Sequence, residues 1–259
     1  MTDPSPPAGA QPGRGRTILI VAAVVVVVGA ITMIGAAVRS SQLNARLLRA
    51  DPDRVAQDAG LVRYAESLAR PAYASHCVAC HGADLQGSQA KGAPSLKDPI
   101  WLYGTGGVGD IERTLLYGIR SGNAKSRNIT DMPAIGRTLQ LSPDEVRDVE
   151  TFVFSLTRRE KDTAAVVRGS QIFQGKGVCY DCHSGDARGN PDYGAPDFTD
   201  NEWLYGGDEK TVYDSIYSGR HGKCPAWIDT LRPGVIRAMA VYLYTRSHQR
   251  PPAGAPSHG

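Results

Sequence analysis

Strand signals are missing from this 259-residue chain, and with them any βαβ pattern, so the folds built on a parallel sheet are excluded. Charge imbalance is missing too. A formal net charge of +3, from 29 Lys and Arg against 26 Asp and Glu, leaves no polybasic footprint for nucleic acid. Hydrophobic residues at 41% and charged residues at 21% rule out a collagenous or wholly disordered chain. Sulfur is scarce, with five Cys and four Met, so each such residue can be considered separately. No output domain of a sensor is visible.

What is present begins with an uncharged run over residues 17–38, TILIVAAVVVVVGAITMIGAAV. As a helix it is about 33 Å long, which matches the hydrocarbon core of a bilayer. A cleaved signal peptide would carry an apolar core of roughly 7 to 15 residues, so the run reads as a retained single-pass anchor. Arg14 and Arg16 before it are expected to leave the N-terminus in the cytoplasm and the chain beyond Arg39 outside. Residues 1–16 and 250–259 are Pro- and Gly-rich, with too little apolar content to fold, and 39–62 reads as a linker.

The rest is an internal repeat. Cys77-Val-Ala-Cys80-His81 returns as Cys179-Tyr-Asp-Cys182-His183, and Gly92-Ala-Pro94 with Trp101-Leu-Tyr103-Gly104 returns as Gly194-Ala-Pro196 with Trp203-Leu-Tyr205-Gly206, always 102 residues on. Each copy closes on a helical pattern. Ser142-Pro143-Asp144-Glu145 supplies a cap, a first-turn proline and a capping-box acid ahead of Val146, Val149 and Val153. Arg232-Pro233 precedes Ile236, Met239 and Leu243, with a poorer cap. The expectation is a mainly α chain with two tandem domains, 63–158 and 163–249, packed together because the connection between them is short.

Cys-x-x-Cys-His is the attachment signature of c-type haem: two thiols add to the porphyrin vinyl groups and the adjoining His takes the iron. Composition alone would produce about 0.002 such pentads here, so two inside a repeat are not accidental. A zinc site would want further Cys or His in each copy, and a thioredoxin-like pair would want the missing βαβ unit. Two covalent haem c groups are therefore expected on Cys77 and Cys80 and on Cys179 and Cys182, with His81 and His183 as proximal ligands. Met132, the only downstream Met of the first copy, sits before a turn-forming Pro and reads as the distal ligand of the first haem. The second copy has Cys224 at the equivalent place, which reads as a thiolate ligand of the second haem in at least its oxidised state and would lower its potential, with a free buried thiol and His221, Lys223 or water at the iron as the alternative; Met239 aligns with Val149 on the closing helix and reads as core. Trp101, Tyr103, Trp203, Tyr205, Arg120 and Arg220 are candidate propionate partners, with plain packing or solvation as their alternative.

These residues resemble subunit III, of CcoP or FixP type, of cbb3-type cytochrome oxidases. The resemblance rests on the anchor, the two attachment motifs, GAP and WLYG in each copy, Met132-Pro133-Ala134, and the Gly-Arg-His-Gly-x-x-Pro-Ala-Trp stretch at 219–227. It spans about residues 43–247. It implies an electron-transfer subunit, not an enzyme by itself, that takes electrons from a donor cytochrome c or quinol-oxidising complex and delivers them to an oxygen-reducing catalytic subunit. The family carries Met where this chain has Cys224, and aromatics at the edge of its anchor where this span has small aliphatics. The alternatives are a free-standing anchored shuttle and a haem enzyme such as a peroxidase acting at an open second haem.

Overall fold

A computed structural model describes residues 13–127, 130–157, 162–200 and 202–248, the side chains of residues 13 and 14 excepted. The expectations for residues 1–12 and 250–259 lie outside these. The described residues are helical, with isolated β-bridges and no strand. They form two units, divided after Arg46.

The first unit is one helix, α1, which runs Gly13–Arg49 in all. It starts within the segment expected to be unfolded and continues through much of the one read as a linker. It is long and apolar enough to cross a membrane, with a mean hydropathy of 2.9 over an 18-residue stretch. Its large apolar side chains from Ile18 to Val38 are all exposed. Water would not tolerate such a surface, whereas lipid does.

The second unit follows the repeat. Its first half holds α2 (Ala59–His76), α3 (Val78–His81), α4 (Val108–Tyr117), α5 (Ile135–Thr138) and α6 (Pro143–Ser155); its second holds α7 (Thr163–Gln174), α8 (Tyr180–His183), α9 (Glu209–Ser218) and α10 (Pro233–Ser247). The caps act as their residues suggest. Ser142 Oγ accepts from the Glu145 N–H while Glu145 accepts from the Ser142 N–H, a complete capping box at α6. Asp58 caps α2, whereas Arg232 gives α10 no side-chain bond. Val149 and Met239 are both core, 1% and 0% exposed.

Packing departs from the expected contiguous domains. The closing helix of the first half, α6, packs on α7 and α9 of the second, and the closing helix of the second half, α10, packs on α2 and α4 of the first. The closing helices are therefore packed crosswise between the two halves. One core joins Ile135, Leu141, Val146, Val149 and Val153 from the first half to Ile172, Val212 and Ile216 from the second. The other is closed by α10, whose buried residues run almost without a break from Ile236 to Leu243 because neighbours cover several of its faces. Arg237 on α10 pairs at 2.7 Å with Glu112 on α4, both nearly buried, and Arg246 pairs at 2.6 Å with Glu66 on α2. The physical reason is that a repeat makes two equivalent sets of partner surfaces, so each closing helix fits either copy, and the short connection after α6 delivers it to α7.

Candidate haem sites

Each attachment motif lies at a helix start: α2 leads into Cys77 and the single turn of α3, and α7 leads through a short turn into Cys179 and α8. Both imidazoles are held the same way. His81 Nδ1 lies 2.9 Å from the Pro94 carbonyl and His183 Nδ1 lies 3.2 Å from the Pro196 carbonyl. A carbonyl only accepts, so Nδ1 carries the proton and the Nε2 lone pair is left for a metal. Burial depresses the imidazole pKa at both sites, at His183 to about 4, against the smaller opposing effect of the carbonyl. The imidazoles are therefore neutral, as a metal ligand must be. Phe198 stacks on His183 at 4.2 Å between ring centres.

The repeated GAP segment, quoted above without a role, thus supplies the carbonyl that orients each proximal imidazole. Its glycine has a second use. Gly92 and Gly194 have φ of +59° and +70°, and a Cβ on either would lie 2.2 Å or less from a tyrosine ring: Tyr205 at Gly92, Tyr103 at Gly194. Each WLYG tyrosine reaches into the other copy's proximal loop, and only glycine gives it room. The tyrosines are thus inter-copy contacts. The tryptophans differ. Among the described residues, the indole Nε1 of Trp101 and that of Trp203 are buried without a hydrogen-bond partner. A buried donor left so is costly, and an anionic acceptor such as a porphyrin propionate would satisfy it. With two thiols, a neutral imidazole and an unsatisfied donor in each copy, the residues present fit a c-type haem.

The two distal candidates lie across the repeat, each bridged by its backbone to the opposite half. Met132 packs against the core that includes Ile172, Val212 and Ile216, and Cys179 and Trp203 pack against that same core. Cys224 lies by the first motif: burial pushes its thiol up to about 11, with Cys80 as the neighbouring sulfur, and Cys77 is pushed up to about 12 by burial and then by Cys224 and Cys80. Cys179 is pushed up to about 11, chiefly by burial, and its sulfur neighbour is Cys182. Two reciprocal bridges make the exchange. Met132 trades both backbone bonds with Arg220, at 3.1 and 2.9 Å, and Cys224 trades both with Ile119, at 2.9 and 3.0 Å. Ile119 and Arg220 each stand two residues past the last residue of α4 and α9, so Met132 and Cys224 occupy equivalent places on opposite copies.

The candidate propionate arginines are engaged within the chain. Arg220 bonds Ser215 Oγ and the Thr211 carbonyl and lies over the Tyr205 ring at 4.3 Å. Arg120 donates to Tyr103 and to two carbonyls near the distal residues. His221 is exposed and pairs with Asp131.

Residues 69–157 match the Cytochrome c family, which implies covalently bound haem c. Curated relatives extend the likeness across both copies. The cbb3-type cytochrome c oxidase subunit FixP of Bradyrhizobium sp. (strain ORS 278) is 42% identical over 195 residues, covering 74% of this chain and 64% of that protein. FixP of Azorhizobium caulinodans is 36% identical over 203 residues, 78% of this chain and 67% of the relative. The subunit CcoP of Cereibacter sphaeroides is 32% identical over 205 residues, 79% of this chain and 69% of the relative. The matched stretch is thus close to two thirds of the relatives' own length. On that identity and coverage, with the helical fold and the paired attachment motifs, the chain belongs to the CcoP/FixP family of cbb3-type cytochrome c oxidase subunits.

Proposed function

We propose that this chain is a membrane-anchored, two-haem electron carrier that serves the oxygen-reducing subunit of a cbb3-type oxidase and performs no substrate chemistry itself. Haem c, when bound, supplies reversible one-electron oxidation and reduction. Cys77 and Cys80 hold one haem and Cys179 and Cys182 the other. His81 and His183 present Nε2 to the irons, fixed by the carbonyls of Pro94 and Pro196. Trp101 and Trp203 offer their indole N–H groups to propionates. Cys224 closes the site of His81, and Met132 closes that of His183.

The observation that carries this reading is the pair of imidazoles with Nδ1 committed to a proline carbonyl, repeated in both copies. The donor is a cytochrome c or a quinol-oxidising complex, and the haem domains lie in the periplasm. Mass spectrometry of the purified chain is expected to show two haem additions, and the chain is expected to co-purify with an oxidase core in mild detergent. A single addition would remove the two-haem reading; migration without the core would favour a free-standing shuttle.

Because each motif has its own imidazole and supporting carbonyl, His81→Ala and His183→Ala are each expected to abolish the low-spin spectrum of one haem and spare the other. Absorption spectra of the reduced variants test this. Loss of both haems from either change would show that the sites are not independent.

A further inference from the structure

Both distal loops hang on one side chain. Arg120, just past the end of α4, donates from Nε to the Gly222 carbonyl at 2.5 Å and from Nη1 to the Thr130 carbonyl at 2.9 Å and the Tyr103 hydroxyl at 3.0 Å. Gly222 stands two residues before Cys224, and Thr130 two before Met132. Tyr103 in turn rests on Gly194, in the loop whose Pro196 carbonyl orients His183. A planar guanidinium with fixed donor directions can hold two carbonyls and a hydroxyl in one register, which a point charge such as an ammonium cannot do.

The backbone at Arg120 supports the same role. Its φ is +47°, a conformation that is strained for a non-glycine residue and persists where the surroundings over-determine it. The Arg120 N–H bonds the Arg127 carbonyl, and the residue before it, Ile119, is the one bridged to Cys224 in both directions. Arg127 is itself fixed by a 3.0 Å ion pair to Asp110. The guanidinium thus projects from a fixed base to the point where the two loops cross.

We propose that Arg120 is a positioning residue for both haem sites at once: it sets the register of the two distal loops, so that the hold of Cys224 and of Met132 on their irons depends on one hydrogen-bonded fork. This rests on the crosswise reading above. A change at either ligand alters one haem; a change at Arg120 alters two.

The test uses the full chain with both haems in detergent, with imidazole as an external ligand followed by absorption, and redox titration as a second readout. Arg120→Gln is expected to tighten imidazole binding at both ferric haems by about tenfold each, the scale of one charge-assisted hydrogen bond lost per loop. Arg120→Lys, which keeps the charge but not the fork, is expected to fall between the two proteins at both haems. Tyr103→Phe, which removes only the hydroxyl from the fork and leaves both carbonyl bonds, is expected to change imidazole binding at each haem by less than Arg120→Gln does. Response of a single haem, no response, or a chain that fails to fold in both Arg120 variants would overturn the proposal, the last by making the residue a requirement of the fold. Met132→Ala in the same preparation identifies the haem its loop serves. Should that be the haem of Cys77 and Cys80, the crosswise reading fails, while Arg120 is still judged by whether both haems respond.

Discussion

Cys224→Met is expected to raise the midpoint potential of the haem on Cys77 and Cys80 by on the order of a few hundred millivolts, and to leave the haem on Cys179 and Cys182 unchanged. An anionic sulfur stabilises ferric iron, whereas a thioether favours the ferrous state, so exchanging them moves a one-electron couple upward. At 59 mV per factor of ten, the change amounts to roughly 5–8 kcal/mol in the transfer step. The haem that responds identifies the pairing. Cys224 lies beside Cys77 and Cys80 and bridges Ile119 of the same half, so the first haem is the one expected to move. A shift at the second haem would restore the pairing within each repeat, and no shift at either would show that Cys224 is not a ligand. A rise at the first haem would place the thiolate there, and with Met132 on the second haem transfer from first to second would then run downhill.

Gly169→Ala is expected to destabilise the second unit by about 3 kcal/mol, although alanine is ordinarily the better helix former by about 1 kcal/mol. The clash decides the sign. A Cβ on Gly169 would lie 1.9 Å from the Asp148 carbonyl oxygen and 2.5 Å from its carbon, so α7 would have to withdraw from the backbone of α6. That withdrawal also strains the paired bonds of Arg168 to Asp148, both 2.7 Å, and the contact of Phe152 with Phe173, 5.2 Å between ring centres. For a unit of this size a loss of about 3 kcal/mol lowers the melting temperature by roughly 6–12 °C, which calorimetry of the haem-loaded chain would read. An unchanged or raised melting temperature would mean that α6 and α7 are not packed this closely. The effect is expected to fall first on the low-spin spectrum of the haem at His183, because α6 follows the Met132 loop.

Much of this was legible in the residues. The uncharged run from 17 to 38 gave the anchor, the spacing of 102 gave the duplication, and Cys-x-x-Cys-His gave the attachment chemistry. Ser142 and Glu145 gave the start of α6. The crosswise closure was hidden, because the apolar stripe of Val146, Val149 and Val153 has the right spacing for the groove of either copy. What differs between the copies is local: the glycine at 169 and the pairing of Asp148 with Arg168, neither of which is a pattern until the helices are seen together. The brevity of the connection after α6 did carry the information, since short loops join antiparallel neighbours, but it also fitted two whole domains lying side by side. The roles of Pro94 and Pro196 were out of reach for another reason: they act through main-chain carbonyls, which every residue has.

The crossed closure also governs how this protein can be made. Arg237 and Arg246, which tie α10 to Glu112 and Glu66, are among the last described residues to leave a ribosome, more than a hundred positions after their partners. The nascent first half therefore emerges with its attachment cysteines in place and before α10, the helix that packs on its α2 and α4. The second half finds α6 already waiting. Neither half cut out at residue 160 would be a whole domain, and contacts this distant in sequence make for slow maturation.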